Sequence, residues 1–145
     1  MNQEDEKWLD KVMDIAFEKL EEVDDDYSLV EEPFQTIAII IAAQGVIDNG
    51  GLRYFFDYDW PRNPPYSVYA DAYRRIGCER QAVAIEVAAS SFGVADPQNQ
   101  RELRRKYIEA HYNEKEFNVD GWPECMYTQD GVEEQLVSWA RSYSK

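Results

Sequence analysis

Histidine and cysteine are almost missing from this chain: its 145 residues include one histidine, His111, and two cysteines, Cys78 and Cys125. Imidazole and thiolate chemistry therefore have little to work with. The positions 78, 111 and 125 fit no zinc-ligand spacing, so no metal and no cofactor is expected. Neither cysteine has an activating partner beside it in the sequence. Two cysteines do not make a disulfide framework, and the acidic start Met-Asn-Gln-Glu-Asp-Glu lacks the basic residues and apolar run of a signal peptide. The expectation is a cytoplasmic protein with reduced thiols. Long apolar runs are missing too. The longest, Ile37 to Ala43, has seven residues, far short of a bilayer span. There is no glycine-rich phosphate loop. Positive charge is scarce, with 15 Lys and Arg against 29 Asp and Glu, a net charge of −14 and an isoelectric point near 4.4. Nucleic acid and anionic membranes would repel such a chain, which leaves basic proteins or cations as partners.

What remains is dense and apolar enough to fold. Hydrophobic residues make up 44% of the chain, and four Trp, ten Tyr and six Phe promise a core rich in rings. A chain of this size buries roughly 68–70% of the surface that it exposes unfolded. No Gly/Ser linker or repeat divides it, so residues 1–145 read as a single domain.

The periodicity is helical. Trp8, Leu9, Val12, Ile15, Ala16, Leu20 and Val23 recur at helical spacing from Glu4 to about Val23, and Asp24-Asp25-Asp26 ends that helix. A second begins near Glu31-Glu32-Pro33 and is apolar on nearly every side, the mark of a central helix. Asn49-Gly50-Gly51 stops it. Leu52 to about Tyr58 reads as a short aromatic helix, and the prolines at 61, 64 and 65 impose a loop. Further helices are expected over Tyr66–Ile76, Glu79–Phe92, Gln100–Glu116 and Asp130–Tyr143, with an irregular stretch over Val119–Gln129. The fold class is all-α, with six to seven helices around the central one.

Charge is concentrated at one end. Residues 1–32 hold thirteen acids and three lysines, a net of −10, and the other 113 residues share only −4. Within that segment Asp10, Asp14, Glu18, Glu22 and Asp26 form an i, i+4 row with a step of about 6 Å, and Glu21 lies beside it. The row winds opposite the Trp8/Val12/Ile15 face, a crude likeness of one phosphate strand. Each like-charged pair costs a helix about 0.2–0.5 kcal/mol, offset in part by Lys7, Lys11 and Lys19. Asp24, Asp25, Asp26, Glu31 and Glu32 continue the acidic tract. Its simplest reading is a solvated face, and the sharper one is a surface that binds a basic protein. Asp24-Asp25-Asp26-Tyr27 lacks the glycine and spaced acids of a calcium loop.

The second constellation is Asp48-Asn49-Gly50-Gly51-Leu52 with Tyr54, Phe55, Phe56, Tyr58 and Trp60. It reads as a helical corner with a buried aromatic wedge, or as a pocket or partner groove lined by Tyr54, Tyr58 and Trp60. A carboxylate pair among Asp48, Asp57 and Asp59 is the least implausible place for chemistry, although no catalytic residue is assigned. The run Arg101 to Lys106 is the one basic patch, available to a second copy's acidic helix or to Glu109.

Asp48-Asn49-Gly50-Gly51-Leu52, then Tyr54-Phe55-Phe56 and a helix closing with Arg75-Ile76-Gly77-Cys78, resembles the bacterial DNA-mimic protein 19-like family over Phe34 to Phe92. The resemblance implies a small helical domain, and the family name implies acidic dimers that occupy the DNA site of a basic protein. The functional expectation is an acidic, non-enzymatic interaction domain, a DNA mimic facing a DNA-binding regulator. The alternatives are an immunity-type inhibitor of a basic toxin, or a small-ligand binder or enzyme using Asp48 to Trp60. The aromatic-rich surface also makes a homodimer an expectation to test.

Overall fold

In the computed structural model, residues 1–124 and 131–143 are described. Among these residues six α-helices run in order as α1 (Gln3–Glu22), α2 (Phe34–Asp57), α3 (Tyr66–Arg75), α4 (Glu79–Ser90), α5 (Arg101–His111) and α6 (Val132–Tyr143). Among the described residues the fold is all-α apart from one antiparallel pair of two-residue strands, β1 (Tyr112–Asn113) and β2 (Asn118–Val119). As its composition requires, α2 is central and touches α1, α3, α4, α5 and α6. Ile37, Ala38, Ile40, Ala43 and Ile47 on it are completely buried.

The helix α1 starts where the Asn2 carboxamide oxygen accepts the Asp5 N–H at 2.8 Å, which satisfies one of the open N–H groups of its first turn. Leu9, Ala16 and Leu20 bury its inner stripe against α2. The expected stop at Asn49-Gly50-Gly51 is a break within α2 rather than a loop. Gly50 has φ −162°, and Gly51 has φ 72° and ψ −165°. The Gly51 pair lies in a region essentially closed to residues with a Cβ. A Cβ on Gly50 would run into the Tyr54 ring. The two glycines redirect the second arm of α2 so that Phe55 meets Trp60, Tyr66 and Tyr69 at centroid separations of 5.1–5.7 Å. Phe56 joins Tyr66, Phe92 and Trp122. Offset and edge-to-face contacts of this kind add about 0.5–1.5 kcal/mol per pair beyond burial.

Two expectations are corrected. The fifth helix stops at His111 instead of continuing to Glu116. The Asn113 carboxamide oxygen accepts the N–H groups of Lys115 at 3.0 Å and Glu116 at 3.3 Å, and this local turn outcompetes helix continuation. Phe117 follows at φ 52°, and the chain returns as β2. The basic run is not a free patch. Arg104, only 1% exposed, donates from Nε to Phe56 O at 2.7 Å and from Nη1 to Pro97 O and Gln98 O. Its Nη2 reaches Asp59 at 2.8 Å. Arg101 pairs with Asp59 at 3.1 Å and Arg105 with Asp57 at 3.2 Å, so the three arginines of the run pair through residues other than Glu109. The segment from Cys125 to Asp130 lies outside the described residues, and with it the second thiol and the start expected for the last helix.

Candidate functional site

Four members of the acidic row stay on one helix. Asp10, Asp14, Glu18 and Glu22 are exposed on α1, as is Glu21 beside them. An α-helix rises 1.5 Å per residue, so the row extends over about 18 Å at one carboxylate per 6 Å or so. That is sparser than a nucleic-acid strand, whose phosphates follow one another about every 3.4 Å along the axis. Asp24 and Asp25 extend the exposed line past the helix end, both in the left-handed conformation (φ 54° and 64°) that aspartate accepts more readily than most residues. Among the described residues, none of these seven carboxylates enters an ion pair.

The remaining three acids of the tract are employed in the fold. Asp26 falls outside the helix, because α1 ends at Glu22, and so it is no rung of the ladder. Its Oδ1 accepts the Ser28 N–H at 3.0 Å and the Ser28 hydroxyl at 2.6 Å. These bonds cap the 3-10 turn Tyr27–Leu29 and, led by the hydroxyl, hold the Asp26 carboxyl below the usual range. Glu31 binds Lys19 at 2.8 Å, and that bond raises the lysine's own pKa. Lys19 also lies over the Phe34 ring at 5.2 Å. This lysine therefore ties α1 to the start of α2. Glu32 accepts from the Thr36 N–H and hydroxyl at 2.8 and 2.7 Å and sits 3.4 Å from Arg75.

The Asp48–Trp60 residues are dispersed rather than gathered around one pocket. Phe55 is fully buried, and Trp60 is 7% exposed with its indole N–H donating to Phe55 O at 3.1 Å. Burial of two large rings outweighs any advantage of presenting them, so Trp60 lines no open groove. Tyr58 is exposed and stands edge-on to Trp60 at 4.6 Å. Tyr54, also exposed, lines a shallow cavity of about 270 Å³ with Arg53, Asp57, Arg105 and Ile108. Asp48 lines a different cavity of about 330 Å³ between α1, α2 and α6, together with Glu6, Asp10 and Glu133. Its carboxylate accepts from Gln44 at 2.9 Å, and Gln44 accepts the hydroxyl of the buried Tyr73 at 2.8 Å. Asn49 donates back to Gly45 O at 3.0 Å. Gly50 and Gly51 make the bend. Asp57 and Asp59 are tied up by arginines of α5.

The meeting of Glu133 with Asp10 and Asp48 was not readable from the sequence, because α6 is more than 80 residues away from both and no spacing rule joins them. Burial, and then the charges of Glu134, Asp48, Glu6 and Asp10, push the Glu133 carboxyl above the ordinary range. Leu29 was missed as well, and it stands 65% exposed within the acidic tract. His111 is exposed at the end of α5, its ring 4.3 Å from that of Tyr107. Cys78 is buried, which pushes its thiol up and away from reactivity. Among the described residues no group of three or more His, Cys, Asp or Glu side chains is arranged to hold a metal ion. No described helix is long and apolar enough to cross a membrane.

Neither the curated proteins nor the solved structures gave a match to this chain. One family model did, and it extends well beyond the stretch 34–92 that carries the resemblance while beginning after the acidic row. Matched over residues 28–143, this chain belongs to the DMP19-like protein family.

Proposed function

We propose that this protein is an acidic interaction domain that docks the outer face of α1 and the turn after it onto a basic protein surface. The reading is supported by one contrast above all. Asp10, Asp14, Glu18, Glu21, Glu22, Asp24 and Asp25 are exposed without an ion pair among the described residues, whereas Glu31, Glu32, Asp57 and Asp59 are held by the fold's own cations. A helix tolerates three consecutive like-charged i, i+4 pairs at a cost on the order of 1 kcal/mol. That cost is returned when a cationic surface covers the row. The finer part of the proposal is that the partner is a DNA-binding protein whose DNA-contacting surface the ridge occupies; its support is the spaced row of exposed carboxylates, since the family match begins after that row.

Association of this type is fast and weakens with salt, because exposed charges attract through solvent. The test is affinity capture from a lysate with wild-type protein and with the D10N/D14N/E18Q/E22Q variant, at low and high salt, with duplex DNA as competitor. A captured basic protein that is released by DNA, and lost in the variant, carries the reading. Equal capture by wild type and variant overturns it.

A further inference from the structure

A solvated row of carboxylates supplies attraction but little selectivity, and selectivity needs an anchoring feature beside it. Where the tract leaves α1, the 3-10 turn faces the proline loop across a cleft of about 490 Å³. Tyr27, Pro64, Pro65 and Val68 provide its apolar lining, and Asp25 and Asp26 its acidic lining. The volume falls within the range of small-molecule and side-chain pockets. Asp26 is fixed in advance, because both bonds from Ser28 go to Oδ1. Arg62, the cation of the lining, donates from Nε to Asp24 O at 2.7 Å and its charge also favours the ionised Asp26, and two aspartates against this one arginine leave the cleft net negative.

We infer that this cleft receives an arginine side chain of the basic partner, its stem against Tyr27, Pro64 and Val68 and its guanidinium on Asp25 and Asp26. The inference rests on the reading of the acidic ridge as a docking surface and names the contact that would make docking selective. Arginine fits better than lysine. Its planar, weakly hydrated head lies flat on tyrosine and proline and offers paired donors to carboxylates. A long side chain also buries its methylenes while its charge stays at the acidic rim. Anchors of this kind, apolar in the middle and charged at the end, dominate the energetics of many interfaces.

The probe is N-acetyl-arginine methylamide, titrated into the isotope-labelled full chain and followed by NMR, with the neutral citrulline analogue as control. Saturable shifts of the Val68 methyls and the Tyr27 amide are expected, with none from the citrulline analogue. Asp25→Asn keeps the left-handed backbone, which asparagine also accepts, and should weaken the arginine probe about fivefold. Equal response to both probes overturns the inference. So do shifts confined to Asp10–Glu22 with Tyr27 and Val68 unmoved, a result that leaves the ridge itself intact as a docking surface. Loss of ridge-dependent capture together with saturable cleft binding would instead overturn the function proposed above and keep the cleft.

Discussion

Gly51 and Arg104 do more for this fold than their places in the sequence suggest. Gly51 holds φ 72° and ψ −165° while buried. Gly51→Ala should therefore destabilise the protein by about 1–3 kcal/mol, read as a lower urea midpoint at unchanged slope. Gly50→Ala should act differently, displacing the Tyr54 ring and altering the near-ultraviolet circular dichroism. Arg104 joins three backbone carbonyls and Asp59 from a site that is 1% exposed. Arg104→Ala removes the side-chain donor from Phe56 O and Gln98 O, while Pro97 O keeps the Gln100 N–H and Asp59 keeps Arg101, and should cost about 2–4 kcal/mol. Lysine should not restore it, because one ammonium cannot reproduce the directions of a guanidinium fork. The glycine pair was readable as a turn, since few residues tolerate such backbone. Arg104 was not, because its acceptors Phe56 and Asp59 lie more than 40 residues away and nothing in Arg101–Lys106 separates a buried arginine from its exposed neighbours.

At the level of elements, α1 serves two masters. Its inner stripe was legible because Leu9, Ala16 and Leu20 repeat with the helical period. The outer row was legible for the same reason, except at Asp26, where local bonding to Ser28 prevailed over the count of four. Asp14→Asn together with Glu18→Gln should leave stability unchanged or raise it by up to about 1 kcal/mol, since like-charged pairs are removed and only the through-solvent attraction of Glu18 to Lys19 is given up. The same variant should weaken capture of a basic partner. A fall in melting temperature would show that these carboxylates support the fold. The end of α5 was misread because helix period continues on paper through Asn113, while the side chain of that residue satisfies the N–H groups that a longer helix would have used.

For the whole molecule, the environment of single carboxyl groups sets how stability follows pH. Glu133 sits where burial and the fields of Glu134, Asp48, Glu6 and Asp10 disfavour its ionised form. A carboxyl raised on folding contributes stability that is fully present below its unfolded pKa and lost as pH rises through its folded value. Glu133→Gln should therefore raise the melting temperature at neutral pH, and the difference should shrink to nothing as the solution becomes acid. Asp26 has the opposite sign. Held down by Ser28, its support for the turn fades as pH falls through its lowered folded value.

The split personality of the first helix also bears on how this protein could diversify. Residues that grip the interior fix its position, while the carboxylates on the far side enter no ion pair among the described residues. Such a face can be rewritten one codon at a time, which on the proposed reading changes the client and leaves the scaffold alone. Homologous chains that share the glycine hinge and the guanidinium tie should therefore differ most along this outward edge.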